Sequence, residues 1–212
     1  MQKTVIVIVL LSLLACGSQP AAPLAAKDQA EKKIRAQQTI KIALQPFGGF
    51  DTSLVSFAGK EIRDFYHFEV ISLDAKSLPA MAWYPPRSRY RADSLLIWLE
   101  AAKPDNIDHI MGLTDKDISC TKDHYADWGI FGYGYQPGPS CVISTFRLKR
   151  NNASAELFRD RFAKVLLHEL GHNLGLPHCP TKGCMMEDAG GTIVTVDTEK
   201  KELCSLCREK LK

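Results

Sequence analysis

His168-Glu169-Leu170-Gly171-His172-Asn173-Leu174-Gly175-Leu176-Pro177-His178 decides how this chain is read. On a helix, residues four apart share a face, so His168 and His172 aim their imidazoles at one metal ion while Glu169 reaches a water on it. A helix continued past His172 would carry the next histidine away. The chain therefore has to turn, and Gly175 is the residue that tolerates the left-handed conformation ending a helix. His178 then returns as a third ligand. Three neutral imidazoles leave one position of a tetrahedral zinc open for water, whose pKa falls towards neutrality and which Glu169 can deprotonate. Any one of these histidines, taken singly, is as well read as a surface or core residue. The full spacing is different, because at ordinary residue frequencies it arises roughly once in 10⁵ random chains of this length.

Beyond the third histidine the pattern extends: Cys179, Cys184, Met186, Cys204 and Cys207 spell H-C-x4-C-x-M-x17-C-x-x-C. As it stands, this resembles the archaemetzincin family of the metzincin clan. The resemblance implies a catalytic zinc on His168, His172 and His178, with Glu169 as general base. It implies that Met186 is the Met-turn residue beneath that zinc, with Met185 one position away as the competing candidate. It also implies a second, structural zinc on Cys179, Cys184, Cys204 and Cys207, hence two zinc ions per chain. For four cysteines in an exported chain the alternative is two disulfides. Against that, Cys204-x-x-Cys207 and the short loop from Cys179 to Cys184 suit a closed Cys₄ site, which would also fix the chain carrying His178.

The remaining composition bounds the problem. A chain of 212 residues with 45% hydrophobic content supports one sizeable core. The net charge of +3 comes from 27 basic and 24 acidic residues. No basic run with interleaved aromatics suggests a nucleic-acid partner, and no repeat at a solenoid or propeller period is visible. We read one catalytic domain over residues 39–212, acting as a monomer on a peptide or protein substrate.

The N-terminus reads as an address. Lys3 precedes an almost wholly apolar run from Thr4 to Ala15, shorter than the roughly 20 residues a spanning helix needs. Residues 1–15 therefore read as a signal peptide. The sequence Leu13-Leu14-Ala15-Cys16 resembles the bacterial lipobox, which implies lipidation of Cys16; an ordinary secretory signal and an uncleaved anchor are the alternatives. Residues 16–38, rich in Ala, Pro, Gln and charge, fit a tether from a membrane. The expected location is the bacterial cell envelope, lipid-anchored, at the outer membrane or surface where two membranes exist.

Within the domain, alternation predicts a first strand from Ile40 to Phe47, a helix from Thr52 or Ser53 to Tyr66 and a second strand from Phe68 to Leu73. Trp83 to Tyr90, with two prolines, is expected to be an exposed loop. Asp93 is expected to cap a helix through Ala102, followed by strands at Asp108–Leu113, Trp128–Tyr135 and Cys141–Leu148. The zinc helix should begin near Asn152 or Ser154 and bury Phe158, Phe162, Leu166 and Leu170. A last helix from Thr198 to Leu211 would carry Cys204 and Cys207. This order is α/β with a mixed sheet. It agrees with the metzincin-like zincin arrangement the resemblance implies: a twisted five-stranded sheet above the cleft, backing helices, an active-site helix and a small Cys-rich C-terminal part. Strand Trp128–Tyr135 is then the edge against which substrate lies. Cys120 and Cys141 are left over, as a disulfide or as two thiols. His67, His109 and His124 lack ligand spacing and read as structural or surface residues.

Three functions compete: a zinc peptidase, an idle zinc domain that binds peptide, and a zinc hydrolase of a non-peptide amide. Glu169 favours catalysis, since an idle domain needs no carboxylate beside the first ligand. The resemblance carries aminopeptidase action as one form of the activity.

Overall fold

The structure, a computed structural model, describes residues 39–211; the signal segment, Cys16 and the tether lie outside them. The chain runs β1 (Lys41–Pro46), α1 (Thr52–Tyr66), β2 (Glu69–Ser72), β3 (Trp83–Tyr84), β4 (Arg89–Arg91), α2 (Ala92–Ala102) and β5 (His109–Thr114). It continues through β6 (Ile118–Lys122), β7 (Tyr125–Ile130), β8 (Gly132–Gly134), β9 (Ser140–Ser144), α3 (Ala155–Asn173), α4 (Ile193–Thr198) and α5 (Ser205–Lys210).

The main sheet has the order β2-β1-β5-β9-β8. Its first four strands are parallel neighbours, and β8 pairs antiparallel with β9 at the edge, Tyr133 opposite Val142. This is the expected mixed five-stranded sheet. Its inner strands read as near-continuous apolar runs because both faces are covered. Successive side chains point to opposite faces. Ile42, Leu44, Met111, Leu113, Cys141 and Ile143 thus meet α1 and α3, whereas Ala43, Ile110 and Val142 meet Leu95, Leu96 and Leu99 of α2. The helices are therefore shared between the faces, α1 lying with the zinc helix and α2 opposite. Among the described residues no helix is long and apolar enough to cross a membrane.

Four expectations differ from the observed fold. The segment Trp83–Tyr90 is not a plain loop: β3 and β4 pair antiparallel, Trp83 opposite Tyr90, with Pro85 and Pro86 confined to the turn between them. They join β6 and β7 in a second sheet, β3-β4-β6-β7. Partners for its charges come from elsewhere in the chain, as Arg147 forks onto Asp117 at 2.6 and 2.9 Å and Arg89 approaches Asp127 at 3.4 Å. Helix α2 begins at Ala92 without a side-chain cap; Asp93 sits inside its first turn, accepting from Arg91 at 2.8 Å and complementing the dipole. The strand expected at Trp128–Tyr135 breaks at Phe131, which turns into the core, so β7 belongs to the second sheet and β8 to the first. The helix expected from Thr198 to Leu211 is confined to Ser205–Lys210, and a separate short helix, α4, ends where it was expected to begin. The segment between them is tied to the Cys-rich loop instead, Met185 N–H donating to Glu202 O and Lys200 N–H to Gly183 O, both at 2.9 Å.

Cys120 and Cys141 stand in different sheets and are both free thiols, so the disulfide alternative falls. His67 adopts the left-handed conformation that ends α1, and His109 bonds Gly138 O at 3.0 Å through Nδ1.

One ion pair, between a buried arginine and an aspartate that faces solvent, positions α4 against α3. Arg161, 1% exposed, forks onto Asp197 at 2.6 and 2.8 Å and donates to Leu148 O and Arg150 O, each at 2.8 Å. Removing it leaves two carbonyls without their donor while the solvent-facing Asp197 carboxylate can hydrate, which costs about 1–3 kcal/mol. Arg161→Leu is therefore expected to lower the unfolding free energy by that amount, seen by circular dichroism as a lower urea midpoint at unchanged m-value; a midpoint within error of the parent would contradict the assignment.

Candidate active site and metal centres

Ser154 begins α3, its Oγ accepting from Leu157 N–H at 3.1 Å, and the helix runs unbroken to Asn173. Phe162, Leu166 and Leu170 bury one stripe against the sheet. His168, Glu169 and His172 fall on the adjacent stripe, facing a pocket of about 330 Å³. The helix ends as the sequence demands. Gly175 takes φ +93° and donates to His172 O at 2.8 Å, and the chain doubles back to His178.

The three imidazoles gather there. Ring centroids lie 4.6 Å apart for His168–His172, 4.8 Å for His172–His178 and 5.4 Å for His168–His178, and one ring nitrogen from each falls within 4.8 Å of the others. Two rings are oriented from behind: His168 Nδ1 bonds Met185 O at 2.7 Å and His172 Nδ1 bonds Leu176 O at 2.8 Å. A carbonyl only accepts, so these Nδ1 atoms carry the protons and the Nε2 lone pairs are left for a metal. Burial first, then repulsion from His172, holds His168 down at about 3, and burial also lowers His172. Both rings are thus neutral, as ligands must be. His178 is more exposed, its Nδ1 3.8 Å from Asp188 Oδ2.

Glu169 is 8% exposed and lies directly beneath β8. A Cβ at Gly132 would come within 2.5 Å of Glu169 Cγ and 2.7 Å of its Oε1, so only glycine lets the strand pass over this carboxyl. Burial pushes the carboxyl up to about 8, and a dication beside it pulls the other way. The two methionines divide between them the role the sequence leaves ambiguous. Met185 supplies the carbonyl behind His168, whereas the Met186 side chain lies under the helix, its Sδ 2.6 Å from where a Cβ of Gly171 would stand.

A second cluster adjoins the first. One sulfur from each of Cys179, Cys184, Cys204 and Cys207 lies within 4.8 Å of the rest. Cys179 and Cys204 are 3.6 Å apart, and Cys184 and Cys207 3.8 Å. Zinc–sulfur bonds of about 2.3 Å in a tetrahedron separate the sulfurs by roughly 3.8 Å. All four are free, none bridged to another. The thiol at Cys204 is held down at about 6, chiefly by the backbone N–H of Cys207. Donor chemistry and spacing therefore suit zinc in both clusters.

Sequence reading missed two residues that position the centre. Gly132 was hidden inside a strand, although a glycine among aromatics signals a close backbone approach. Asn173 gave no signal: it is buried, and its Nδ2 donates to Tyr135 O at 3.0 Å and Ser140 O at 2.8 Å, stitching the end of α3 to the β8–β9 connection.

With this geometry in hand, comparison with known proteins is specific. A family model described as Peptidase family M54 matches residues 75–212. The archaemetzincin of Halobacterium salinarum is 30% identical over 176 residues, covering 80% of this chain and 98% of its own length. Among solved structures, archaemetzincin from Methanopyrus kandleri superposes with a TM-score of 0.71 at 30% identity, over 82% of this chain and 93% of that one. Archaemetzincin from Archaeoglobus fulgidus, complexed with malonate, gives 0.69 at 28% identity, over 81% and 99%. The chain accordingly belongs to the archaemetzincins, peptidase family M54, and is a zinc metallopeptidase.

Proposed function

We propose that this chain hydrolyses peptide bonds at the His168–His172–His178 centre, with Glu169 moving the protons, and that Cys179, Cys184, Cys204 and Cys207 hold a second, structural zinc. The observation that carries the reading is the place of Glu169: a buried carboxylate beside three gathered imidazoles, directly under the free edge of a sheet. Zinc, when bound by the three histidines, supplies a Lewis acid that acidifies water and polarises the scissile carbonyl.

The protein groups do the rest. An extended peptide can add to the outer edge of β8 through main-chain hydrogen bonds, since β8 is paired only with β9 in its sheet. Glu169 then accepts a proton from the attacking water as the C–O bond forms, and returns it to the amide nitrogen as the C–N bond breaks. Gly132 fixes the distance between carboxyl and strand. An idle zinc domain would need neither this burial nor this contact.

The proposal extends to location. Leu13-Leu14-Ala15-Cys16 supports lipidation at Cys16, with residues 16–38 as the tether that holds the domain at an envelope membrane.

Glu169→Gln should keep zinc bound while lowering kcat by roughly 10²–10⁴. Metal analysis alongside peptide turnover checks this, and near-parental turnover with zinc in place would sink the mechanism. For the metal count, native mass spectrometry of the protein taken from its own compartment should show two zinc ions per chain and no mass deficit among the four cysteines. One zinc with four hydrogens missing would mean two disulfides instead. Finally, Cys16→Ser should move the protein from the membrane to the soluble fraction on cell fractionation; unchanged membrane association would favour an uncleaved helix.

A further inference from the structure

The pocket that holds the reacting groups also holds a carboxylate with no part in proton transfer. Glu199 comes directly after the last turn of α4, is 5% exposed and lines the pocket wall together with Val165 and Val196. Among the described residues no donor lies within hydrogen-bonding distance of its carboxylate. The other acids of the lining are engaged. Glu187 accepts from Lys182 Nζ at 2.6 Å and from Gly183 N–H at 2.8 Å, Asp188 accepts from Gly190 N–H at 2.8 Å, and Glu169 is the base. Against these four carboxylates the lining offers one lysine, Lys122.

Lys164 acts on Glu199 from α3 but is committed elsewhere, to Asp160 Oδ2 at 2.7 Å and Val196 O at 3.0 Å. Burial therefore wins, pushing the Glu199 carboxyl up to about 8. A carboxylate largely withdrawn from water and without a protein donor is poorly solvated, and a cation that enters the pocket and pairs with it offsets that loss. We infer that Glu199 selects peptides bearing a lysine or arginine side chain next to the scissile bond, its carboxylate receiving the cationic head between Val165 and Val196.

Reach and wall chemistry favour a side chain over a free α-amine. The groups that act on Glu199 from α3, Lys164 and Asp160, lie one and two turns before His168. Val165, which lines the pocket with Glu199, stands three residues before His168, about 4.5 Å along α3. A lysine or arginine stem spans such a gap, whereas an α-amine on the reacting residue stays beside the bond. The valines suit the methylene stem and the carboxylate suits the head. The Arg161–Asp197 pair, two residues earlier on α4, holds this wall in register with the helix that carries the chemistry.

The inference rests on the peptidase reading, and the test separates the two. The full chain is offered peptides that carry Lys, Arg, Leu or Glu on either side of the cleaved bond, each with the amino end free or acetylated. Acetylated Lys and Arg peptides should be preferred, and Glu199→Gln should cut the Lys-over-Leu ratio in kcat/KM by roughly 10- to 100-fold, mainly through KM. Glu199→Asp should restore part of it. A loss equal for Lys and Leu peptides would make Glu199 structural, and a preference abolished by acetylation would assign it to the α-amine; either overturns the inference. Binding is read separately in a Glu169→Gln background by the fluorescence of Trp128, which lines the same pocket. There the Lys peptide should bind tighter than the Leu peptide, and Glu199→Gln should erase the difference; equal binding from the start would overturn the inference. Lys-selective binding without cleavage by the parent would sink the peptidase reading and leave Glu199 as a cation receptor.

Discussion

Everything at the centre depends on how closely α3 lies beneath β8. Helix and strand meet with no side chain between them at Gly132, where any Cβ would collide with Glu169. That contact is what buries Glu169 and aims it at the space bounded by the histidines. It cannot be adjusted locally, because the strand is fixed by its register with β9 and the helix end is fixed by Asn173, whose side chain bonds carbonyls of Tyr135 and Ser140. Core packing of Phe162, Leu166 and Leu170 sets the depth of the helix, and the Asn173 bonds set its end. A site held from both directions leaves Glu169 little freedom, and for the proposed proton transfer that is the pre-organisation that would make it effective.

The two metal clusters are one device in the chain. His178 and Cys179 are consecutive, so whatever fixes the sulfur cluster fixes the third imidazole. Cys179 N–H donates to Met186 O at 2.7 Å, Met185 O receives His168, and the Met186 side chain supports the turn of α3 at Gly171. Helices α4 and α5 are too short to be stable by themselves. A metal held by the four cysteines, as proposed, would act as the core of the C-terminal part, joining α5 to the loop behind the histidines, and its binding energy would be folding energy for that region.

The sequence made the centre legible because ligand chemistry tolerates little variation in spacing. His168 and His172 had to be four apart on a helix, and Gly175 had to turn the chain. The mixed sheet was equally plain from apolar runs such as Ile110-Met111 and Cys141-Val142-Ile143. Reading failed where tertiary partners decide. Arg89 and Arg91 look like loop residues until Asp117 and Asp127 arrive from other strands. The break at Phe131 is hard to read because Trp128, Ile130, Phe131 and Tyr133 all favour a strand, and it is the competition between two sheets for the chain that divides it. The C-terminal helix was overextended for the same reason: helical propensity favours residues 198–211, but Met185 and Gly183 take the backbone of Glu202 and Lys200 into a different pattern.

This division of labour has a consequence for how such a site can change. The three histidines and Glu169 stand on α3 and the turn after it, where the proposed shared metal would fix their spacing. The pocket wall with Val196 and Glu199 comes from α4, reached through a separate loop and fastened by Arg161 and Asp197. Substitutions on α4 can therefore alter the charge and depth of the pocket without moving an imidazole, provided the ion pair stays. The reverse does not hold, since a shift of α3 displaces Glu169, the histidines and the footing of α4 together. On the proposed reading, selectivity is the adjustable part of this molecule and its chemistry the constrained part, because the histidines and Glu169 are held between a strand edge and a packed core while the α4 wall is not.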